Sequence, residues 1–317
     1  MTEGEGTAGS DEGRGARHGR LWGIFGRPYV NLEEALEVTD PQALDALDVE
    51  ISRGLAKAES SYTGGTLKWM GVVAPWAMDD GYADAMHVLE ELPDDELEVF
   101  LSLADDPSAL RVEERASHRF GDETDHPFNR AQQRWLSYRH GVYFPWKVCY
   151  HLLENDSWED KHSGAGKRWG EEAKELFPET IRFLRSLPFS EIGRAVIFGM
   201  EPNDHAPLHR DTEPGEALSI PHCISLCPRG DKRLYLQNDE RDEPLVVTGR
   251  AYWFNDMDYH GVLEDPFFRY SIRVDGVFAP GFVESLRERV TGGGEPGRRR
   301  PGPRRSGRSR AGPGPAR

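Results

Sequence analysis

The sequence predicts an α+β, mainly β protein: a double-stranded β-helix (a jelly roll, cupin-like) preceded by a helical N-terminal region. From residue 192 onwards, short runs rich in β-branched and aromatic residues alternate with turn residues such as Gly, Pro, Asn and Asp. That alternation is typical of antiparallel strands in a barrel or jelly roll. Residues 31–60 and 81–103 instead space their apolar side chains three or four apart, which is typical of helices. Two regions of different class are therefore expected.

The helical region is predicted to span residues 28–140. Its first helical stretch has regularly spaced apolar residues, interrupted at Asp40-Pro41: Leu32, Leu36, Leu44, Leu47 and Ile51. Its second stretch, residues 81–103, sets apolar residues among many Asp and Glu, as an amphipathic surface helix does.

The β domain is predicted to span residues 141–285. It opens with the β-rich segment "GVYFPWKVCYHLL" after Gly141. Residues 169–189, "WGEEAKELFPETIRFLRSLPF", predict a helix that is interrupted or restarts at Pro178. Six β-like runs follow, from "GRAVIFGM" to "FFRYSIRVDGVF".

The two ends of the chain have a different composition. Residues 1–27 are predicted to be a disordered leader, and residues 286–317 a disordered tail rich in Arg, Pro and Gly. Eight arginines lie between Arg298 and Arg317. Such a tail suits a nucleic acid, a membrane surface or an acidic partner, or it serves only for solubility, because composition alone identifies no partner.

Composition also bounds the class of the protein. The net charge of -16 argues against nucleic-acid binding by the folded body, so a nucleic-acid partner is not expected outside the tail. No apolar signal region and no apolar stretch of membrane-spanning length are visible, and no membrane association is predicted. Three cysteines provide no paired framework, which favours a reduced, cytoplasmic protein.

A candidate metal site follows the strand "GRAVIFGM". His209 and Asp211 are two residues apart, so on extended backbone both side chains project to the same side. A third ligand, His260, comes from "WFNDMDYHGV" at the end of a later strand. Two imidazoles and one carboxylate suit non-haem Fe(II), because this set leaves coordination positions for a cosubstrate and O2.

The last predicted strand, "FFRYSIRVDGV", has charged residues along one face. By alternation Arg269, Ser271, Arg273 and Asp275 share that face. A charge that points into a barrel is costly unless it is paired. A guanidinium grips a carboxylate with two parallel hydrogen bonds, so Arg269 is the candidate partner of a dicarboxylate cosubstrate.

Taken together, these segments resemble the Fe(II)/2-oxoglutarate-dependent dioxygenases, and within them the aspartyl/asparaginyl β-hydroxylase family (HxD...H...R type). The similar region runs from about residue 158 to residue 280 and comprises four blocks in matching order and spacing. The blocks are "FPET", "GRAVIFGMEPNDHAPLHRD", "PHCISLCPRGDKRLYLQND" and "GRAYWFNDMDYHGVLEDPFFRYSIRVDGVFAP".

The resemblance implies a role for six residues. His209, Asp211 and His260 are expected to be the catalytic metal ligands that hold Fe(II). Arg269 is expected to bind the distal carboxylate of 2-oxoglutarate, His222 to lie near the cosubstrate's other end, and Ser271 to complete an Arg-x-Ser pair. The six residues to which the resemblance gives a role are therefore His209, Asp211, His222, His260, Arg269 and Ser271.

The chain also departs from the family in two places. Ile220 stands where the family has an additional arginine. Asp211 is present, whereas the animal peptidyl hydroxylases of the family lack a carboxylate there. A complete triad favours hydroxylation over halogenation, because in related halogenases the halide occupies the place of the missing carboxylate.

The resemblance points to β-hydroxylation of an aspartyl or asparaginyl-type residue, with a peptide natural-product (lanthipeptide-like) precursor as the candidate substrate. A free amino acid is the nearest alternative. A metal-binding cupin without catalytic activity and a protein that acts on nucleic acid through its tail remain as alternatives from other classes.

Overall fold

The computed structural model describes most of the chain between residues 21 and 292. The described residues are 21–33, 35, 36, 40–58, 88, 89, 91–108, 111–117, 129–142, 148–154, 160–212, 219–238 and 243–292. Residues 1–20 of the predicted leader, residues 81–87 of the second predicted helix and residues 293–317 of the predicted tail lie outside them.

The helices of the described residues lie mostly before and between the strands. Their bounds are α1 Pro41–Leu55, α2 Asp94–Ser102, α3 Arg130–His140, α4 Glu171–Leu176, α5 Pro178–Arg185 and α6 Phe282–Gly292, with a short 3-10 helix at Val112–Ser117. No helix among the described residues is both long and apolar enough to cross a membrane.

The strands of the described residues form two sheets. Their bounds are β1 Tyr29–Asn31, β2 Val148–His151, β3 Phe189–Met200, β4 Ala206–His209, β5 Cys223–Leu226, β6 Leu234–Leu236, β7 Leu245–Val246, β8 Ala251–Phe254, β9 His260–Val262 and β10 Arg269–Phe278. The large sheet has the order β1-β8-β5-β10-β3-β2, and the small sheet has the order β4-β9-β6-β7.

The connectivity is jelly-roll-like. Along the chain, β3, β5, β8 and β10 enter the large sheet, while β4, β6, β7 and β9 enter the small one. All the strand pairs are antiparallel. Successive connections therefore cross repeatedly from one sheet to the other, and β1 and β2 only extend the large sheet at its edges.

The large sheet is buried on both faces. Val196 and Phe198 of β3 join a core cluster with residues of the small sheet and of α2 and α3. The alternate β3 residue Ile197 joins a second cluster with α1, α4, α5 and α6. This alternation follows from the two-residue period of a strand. We call the face toward the small sheet the interior face.

The pairing between β3 and β10, the longest among the described strands, sets the order of side chains on the interior face. Its register sets Ser271 opposite Phe198, Arg273 opposite Val196 and Asp275 opposite Arg194. Asp275 accepts a hydrogen bond of 2.8 Å from Arg194 Nε, and both side chains are fully buried. The charged row that alternation predicted on β10 thus lies between the two sheets.

The helix restart predicted at Pro178 is confirmed, since α4 ends at Leu176 and α5 begins at Pro178. Proline is favoured at a first helical position because its missing N–H would have had no partner there. Buried Glu50 accepts from the backbone N–H of Glu179 and Thr180 and from the Thr180 hydroxyl, at 2.6 to 2.9 Å. This carboxylate links α1 to the N-terminus of α5.

Three segments sit at the predicted domain boundaries. Residues 21–27, within the predicted leader, contain a backbone bridge between Ile24 and Arg27. Strand β1, within the predicted helical region, pairs with β8 of the large sheet. Helix α6 continues past residue 285. Local periodicity could not reveal β1, because its partner strand β8 is more than two hundred residues away in the chain.

Candidate metal centre

Two histidines face each other across the small sheet. His209 ends β4, His260 begins β9, and the two are register partners. Side chains of directly opposed residues in an antiparallel pair project from the same face. The two imidazole rings accordingly lie 4.5 Å apart between centroids, at an interplanar angle of 49°. Both residues are buried.

Asp211 completes the cluster from the segment after β4. Its backbone N–H donates to the carbonyl of Asp256 at 3.0 Å, which fixes the chain at this point. Its Oδ1 atom lies 3.5 Å from Nε2 of His209 and 3.5 Å from Nε2 of His260. The ligand atoms of the three residues all lie within 4.8 Å of one another, so the structure brings together the three predicted metal ligands.

The orientation of His260 is set by its neighbours. Its Nδ1 lies 2.9 Å from the carbonyl oxygen of Asp258, which requires an N–H at Nδ1 and leaves Nε2 as the ring nitrogen that faces Asp211. This arrangement of an outer carbonyl behind a ligating imidazole is common in metal sites. The Asp258 carboxylate in turn accepts from the backbone N–H groups of Trp22 and Gly23, at 2.6 and 2.8 Å.

Arg273 connects three carboxylates beside the cluster. Its Nη1 contacts Oδ2 of Asp211 at 2.8 Å, its Nη2 contacts Oδ2 of Asp256 at 2.6 Å, and its Nε contacts Oδ1 of Asp275 at 2.9 Å. Lys161 adds a contact to Asp256 at 3.1 Å. We call Arg273 and these carboxylates, with Lys161 and Arg194, the arginine network.

The network keeps Asp211 ionised. Burial alone would raise the pKa of its carboxyl, but the positive charges of His260 and Arg273 hold that pKa well below the ordinary value. Oδ2 is occupied by Arg273, so Oδ1, the oxygen that faces both histidines, is the one available to a metal.

The donor set fits a divalent transition metal. Two imidazole nitrogens and one carboxylate oxygen converge from β4, the segment after it and β9, which is the composition of the facial triad that binds non-haem Fe(II). These three residues would hold only part of the coordination sphere of a bound ion and would leave the remaining positions for further ligands.

Arg269, the predicted partner of the cosubstrate, lies at the other end of β10 and is fully buried. Its Nη1 donates to the carbonyls of Glu201 and Phe267, and its Nη2 donates to those of Asp204 and Leu263. Its Nε lies 3.5 Å from Oδ2 of Asp265. The guanidinium therefore joins the β3–β4 connection to the β9–β10 connection.

Ser271 lies between Arg269 and Arg273 on the same face of β10. Its Oγ accepts a hydrogen bond of 2.8 Å from Nζ of Lys232, a buried residue just before β6. Lys232 also donates to the carbonyl of Phe198 at 3.3 Å, above the β3–β10 pair. Burial lowers the pKa of Lys232 to about 7, and the positive charge of Arg269 acts in the same direction.

His222 is not among the residues that converge on the metal ligands. Its ring stacks on Phe278 with centroids 4.5 Å apart, and its Nδ1 accepts from the Phe278 backbone N–H at 3.1 Å. It also contacts the edge of Trp253. Phe278 and Trp253 belong to the cluster on the helix side of the large sheet.

The sequence pattern pointed to the three residues that the structure brings together, but not to the groups around them. The alternation of β10 placed Arg273 and Asp275 on the interior face without assigning them a partner. No sequence pattern marked Lys161, Lys232 or Asp256. Each lies in a loop or at a strand end and meets its partner only through long-range packing. A lysine directly before an alternating strand, as in "GDKRLYL", is the one local hint.

The comparisons with known proteins give similar solved structures only. No family model matches the chain, and no curated protein matches it. It is similar to an oxidoreductase of the 2OG-Fe(II) oxygenase family from Burkholderia pseudomallei, at 11% identity over 40% of this chain and 66% of that one, with a TM-score of 0.27.

Two prolyl hydroxylases are similar to a comparable extent. The Pseudomonas putida prolyl-4-hydroxylase shares 10% identity over 40% of this chain and 71% of that one, with a TM-score of 0.24. The second is the Trichoplax adhaerens prolyl hydroxylase in complex with a peptide fragment of the hypoxia inducible factor oxygen degradation domain. It shares 12% identity over 43% of this chain and 73% of that one, with a TM-score of 0.25. Each similarity covers less than half of this chain.

Proposed function

We propose that the protein is an Fe(II)/2-oxoglutarate-dependent hydroxylase built on a double-stranded β-helix. The observation that supports this most directly is the convergence of His209, Asp211 and His260, with Oδ1 of the carboxylate 3.5 Å from Nε2 of each histidine. The alternation of strands β3–β10 between two antiparallel sheets is the connectivity expected of that fold.

Each ligand residue has a defined part. His209 and His260 would donate Nε2, and Asp211 would donate Oδ1 while Arg273 holds its Oδ2. Bound Fe(II) would supply O2 activation coupled to oxidative decarboxylation of 2-oxoglutarate, so that one oxygen atom enters the substrate as hydroxyl, the other enters succinate, and CO2 leaves. The protein supplies position, charge and exclusion of water.

Hydroxylation is the reaction that the complete triad favours. A bare two-histidine site would leave one more position for an anion such as halide, whereas the Asp211 carboxylate fills that position. The arginine network keeps this buried carboxylate ionised. So many buried charges around one ligand would be unusual for a site that only stores a metal.

The substrate that we propose is an aspartyl or asparaginyl-type unit of a peptide, with a natural-product precursor as the candidate class. The support is the resemblance of residues 158–280 and the additional helices α2 and α3. These helices pack into the core cluster that includes the small sheet, on the same side of the large sheet as the metal ligands. A free amino acid is the alternative substrate.

The activity is tested by supplying Fe(II), 2-oxoglutarate and O2 and measuring succinate. His209→Ala and Asp211→Ala should abolish succinate formation and lower metal affinity. His205→Ala is a matched control, since His205 is an exposed histidine of the same segment. Metal binding that depends on His209 and Asp211 without any consumption of 2-oxoglutarate would identify a non-catalytic cupin instead.

The substrate class is tested with a panel of Asp- and Asn-containing peptides beside the free amino acids. A mass gain of one oxygen atom on peptides, located at the β-carbon by fragmentation and NMR, is the expected result. Oxygen gain on free amino acids alone would exclude the peptide proposal while leaving the hydroxylase proposal intact.

A further inference from the structure

The neighbouring helices α2 and α3 carry charges of opposite sign. Helix α2 contains four carboxylates and no basic residue, whereas α3 contains three arginines and no acidic residue. Arg139, near the end of α3, contacts Glu96, near the start of α2, at 2.6 Å. Gln132, near the start of α3, donates to the carbonyl of Phe100 at 3.4 Å. The two helices therefore run antiparallel, with their inner sides in the core cluster of the small sheet and their outer sides exposed.

Only part of this charge is paired among the described residues. Arg139 pairs with Glu96, and Arg115 of the short 3-10 helix contacts Asp94 at 3.3 Å. Two carboxylates of α2 and two arginines of α3 are exposed and form no ion pair with another described residue: Asp95, Glu98, Arg130 and Arg134. The unpaired charges are equal in number and are sorted by helix, with the acidic ones on α2 and the basic ones on α3.

Two exposed apolar side chains accompany these charges. Val99 of α2 is 46% exposed, and Tyr138 of α3 is 84% exposed. Val99 directly follows Glu98, and Tyr138 lies about one helical turn after Arg134. Tyrosine and arginine are the residue types enriched in protein interfaces, since a guanidinium also stacks on an aromatic ring. The outer side of this helix pair thus combines unpaired charge with contact area.

We propose that the outer side of α2 and α3 is a self-association surface on which a second copy of this chain docks. A two-fold axis parallel to the helices lays α2 of each copy on α3 of the other, so that every contact occurs twice. A second copy is the partner that matches the surface, because it presents the complementary charges at the same spacing. The inference does not depend on the proposed hydroxylase activity.

The position of Glu98 and Arg134 along the helices specifies one contact of this dimer. Both residues lie between the two contacts that join the helices, one near each end, and hence at a similar height along the pair. Glu98 of each copy would therefore face Arg134 of the other. This pair of equivalent contacts replaces two unpaired carboxylates and two unpaired guanidinium groups with two ion pairs.

The size of the surface determines the strength to expect. The helices are about 14 and 17 Å long and pack about 10 Å apart, which offers on the order of 400 Å² per copy. That is about half the area that each partner contributes to a standard interface, so the dimer should be weak and should dissociate on dilution.

The test measures the association state of the full-length protein by sedimentation velocity from about 1 μM to about 1 mM, a range suited to so small an interface. Arg134→Glu and Glu98→Arg each set like charges opposite each other in both halves of a homodimer. Each should weaken dimerisation by about tenfold or more. Arg53→Glu is the matched control, since Arg53 is an exposed arginine of α1 and the change in charge is the same. Far-UV circular dichroism checks that each variant is folded.

An equimolar mixture of Arg134→Glu and Glu98→Arg proteins gives the sharpest result. In the mixed dimer, one half keeps the original pair and the other half has the two charges exchanged, so both contacts are attractive again. The mixture should dimerise about as well as the wild type, although each variant alone does not.

Three results would overturn the inference. The first is a wild-type protein that is monomeric at about 1 mM, well above the concentration at which a specific interface assembles. The second is a dimer that neither variant weakens more than Arg53→Glu does. The third is a mixture that dimerises no better than its components, which would show that Glu98 and Arg134 do not face each other. A monomer that instead binds a poly-Glu peptide through Arg134 would assign the surface to a different, acidic partner.

Discussion

The buried cations at the two ends of the interior face have different surroundings. At the metal ligands, Arg273 contacts three carboxylates within 2.9 Å, and Arg194 and Lys161 pair with two of the same carboxylates. Two positions before Arg273 on β10, Ser271 accepts a hydrogen bond from Lys232, which also donates to the carbonyl of Phe198.

The difference separates two uses of charge. A cation surrounded by the protein's own carboxylates has a structural use, because it orients those carboxylates and is held by them. Burial instead lowers the pKa of Lys232 to about 7, so the charge of this side chain changes within the neutral pH range. The experiments below test this distinction, from the largest expected effect to the smallest.

The largest effect is expected at Arg273. Arg273→Met leaves three carboxylates close together in a buried region, so we expect a loss of about 3–5 kcal/mol in the free energy of unfolding. Zn(II) affinity should fall as well, because Oδ2 of Asp211 loses its partner. Urea denaturation and Zn(II) titration measure the two effects.

Arg233→Met is the control for that experiment. Arg233 pairs with Asp265 at 2.8 Å, but its side chain is 47% exposed, and exposed pairs contribute only about 0–1 kcal/mol. A loss at Arg273 no larger than the loss at Arg233 would show that the arginine network does not hold the site together.

The N-terminal segment should matter to the metal end. Removal of residues 1–27 deletes Trp22 and Gly23, whose backbone N–H groups donate to the Asp258 carboxylate. The backbone carbonyl of Asp258 in turn orients His260. Support of this kind is worth about 10–100-fold in metal affinity. Removal of residues 1–20 alone keeps both contacts and is the reference. Equal Zn(II) affinities of the two truncated proteins would refute this coupling.

The charge of Lys232 should make stability depend on pH. Its pKa in the folded protein is lowered to about 7, first by burial and then by the positive charge of Arg269, while Asp231 acts in the opposite direction. The folded protein therefore releases this proton at a lower pH than the unfolded chain does, and urea denaturation across about pH 6 to 9 measures the consequence.

Two variants isolate that change. The unfolded chain retains the Lys232 proton up to about pH 10.5, so wild-type stability relative to Lys232→Met should rise as pH increases above 7. Lys232→Arg keeps its charge throughout the range and should show no such rise.

The smallest effect is expected at His222. Its Nδ1 accepts from the Phe278 N–H and its ring stacks on Phe278, so His222→Phe should cost about 1 kcal/mol of stability. The affinity for 2-oxoglutarate should not change. A tenfold or larger loss of that affinity would instead support the family role that the resemblance implies for His222.

Local sequence was sufficient to predict which residues form the candidate metal site and to predict much of the β framework. His209 and Asp211 are two apart after a strand, and the period of extended backbone directs both to one side. His260 could be recognised because it follows an apolar strand, and the restart at Pro178 because proline has no backbone N–H. Each of these predictions depends only on the backbone conformation of a few neighbouring residues.

Tertiary structure alone decided which partner each buried charge has. Alternation put Arg269, Ser271 and Arg273 on one face of β10, but only the packing of the two sheets gave Arg273 its carboxylates, Arg269 its carbonyls and Ser271 its lysine. Asp258 likewise meets Trp22 across 236 positions of the chain. Periodicity determines the direction of a side chain, whereas its partner depends on strand register and on connections that meet only when the chain is folded.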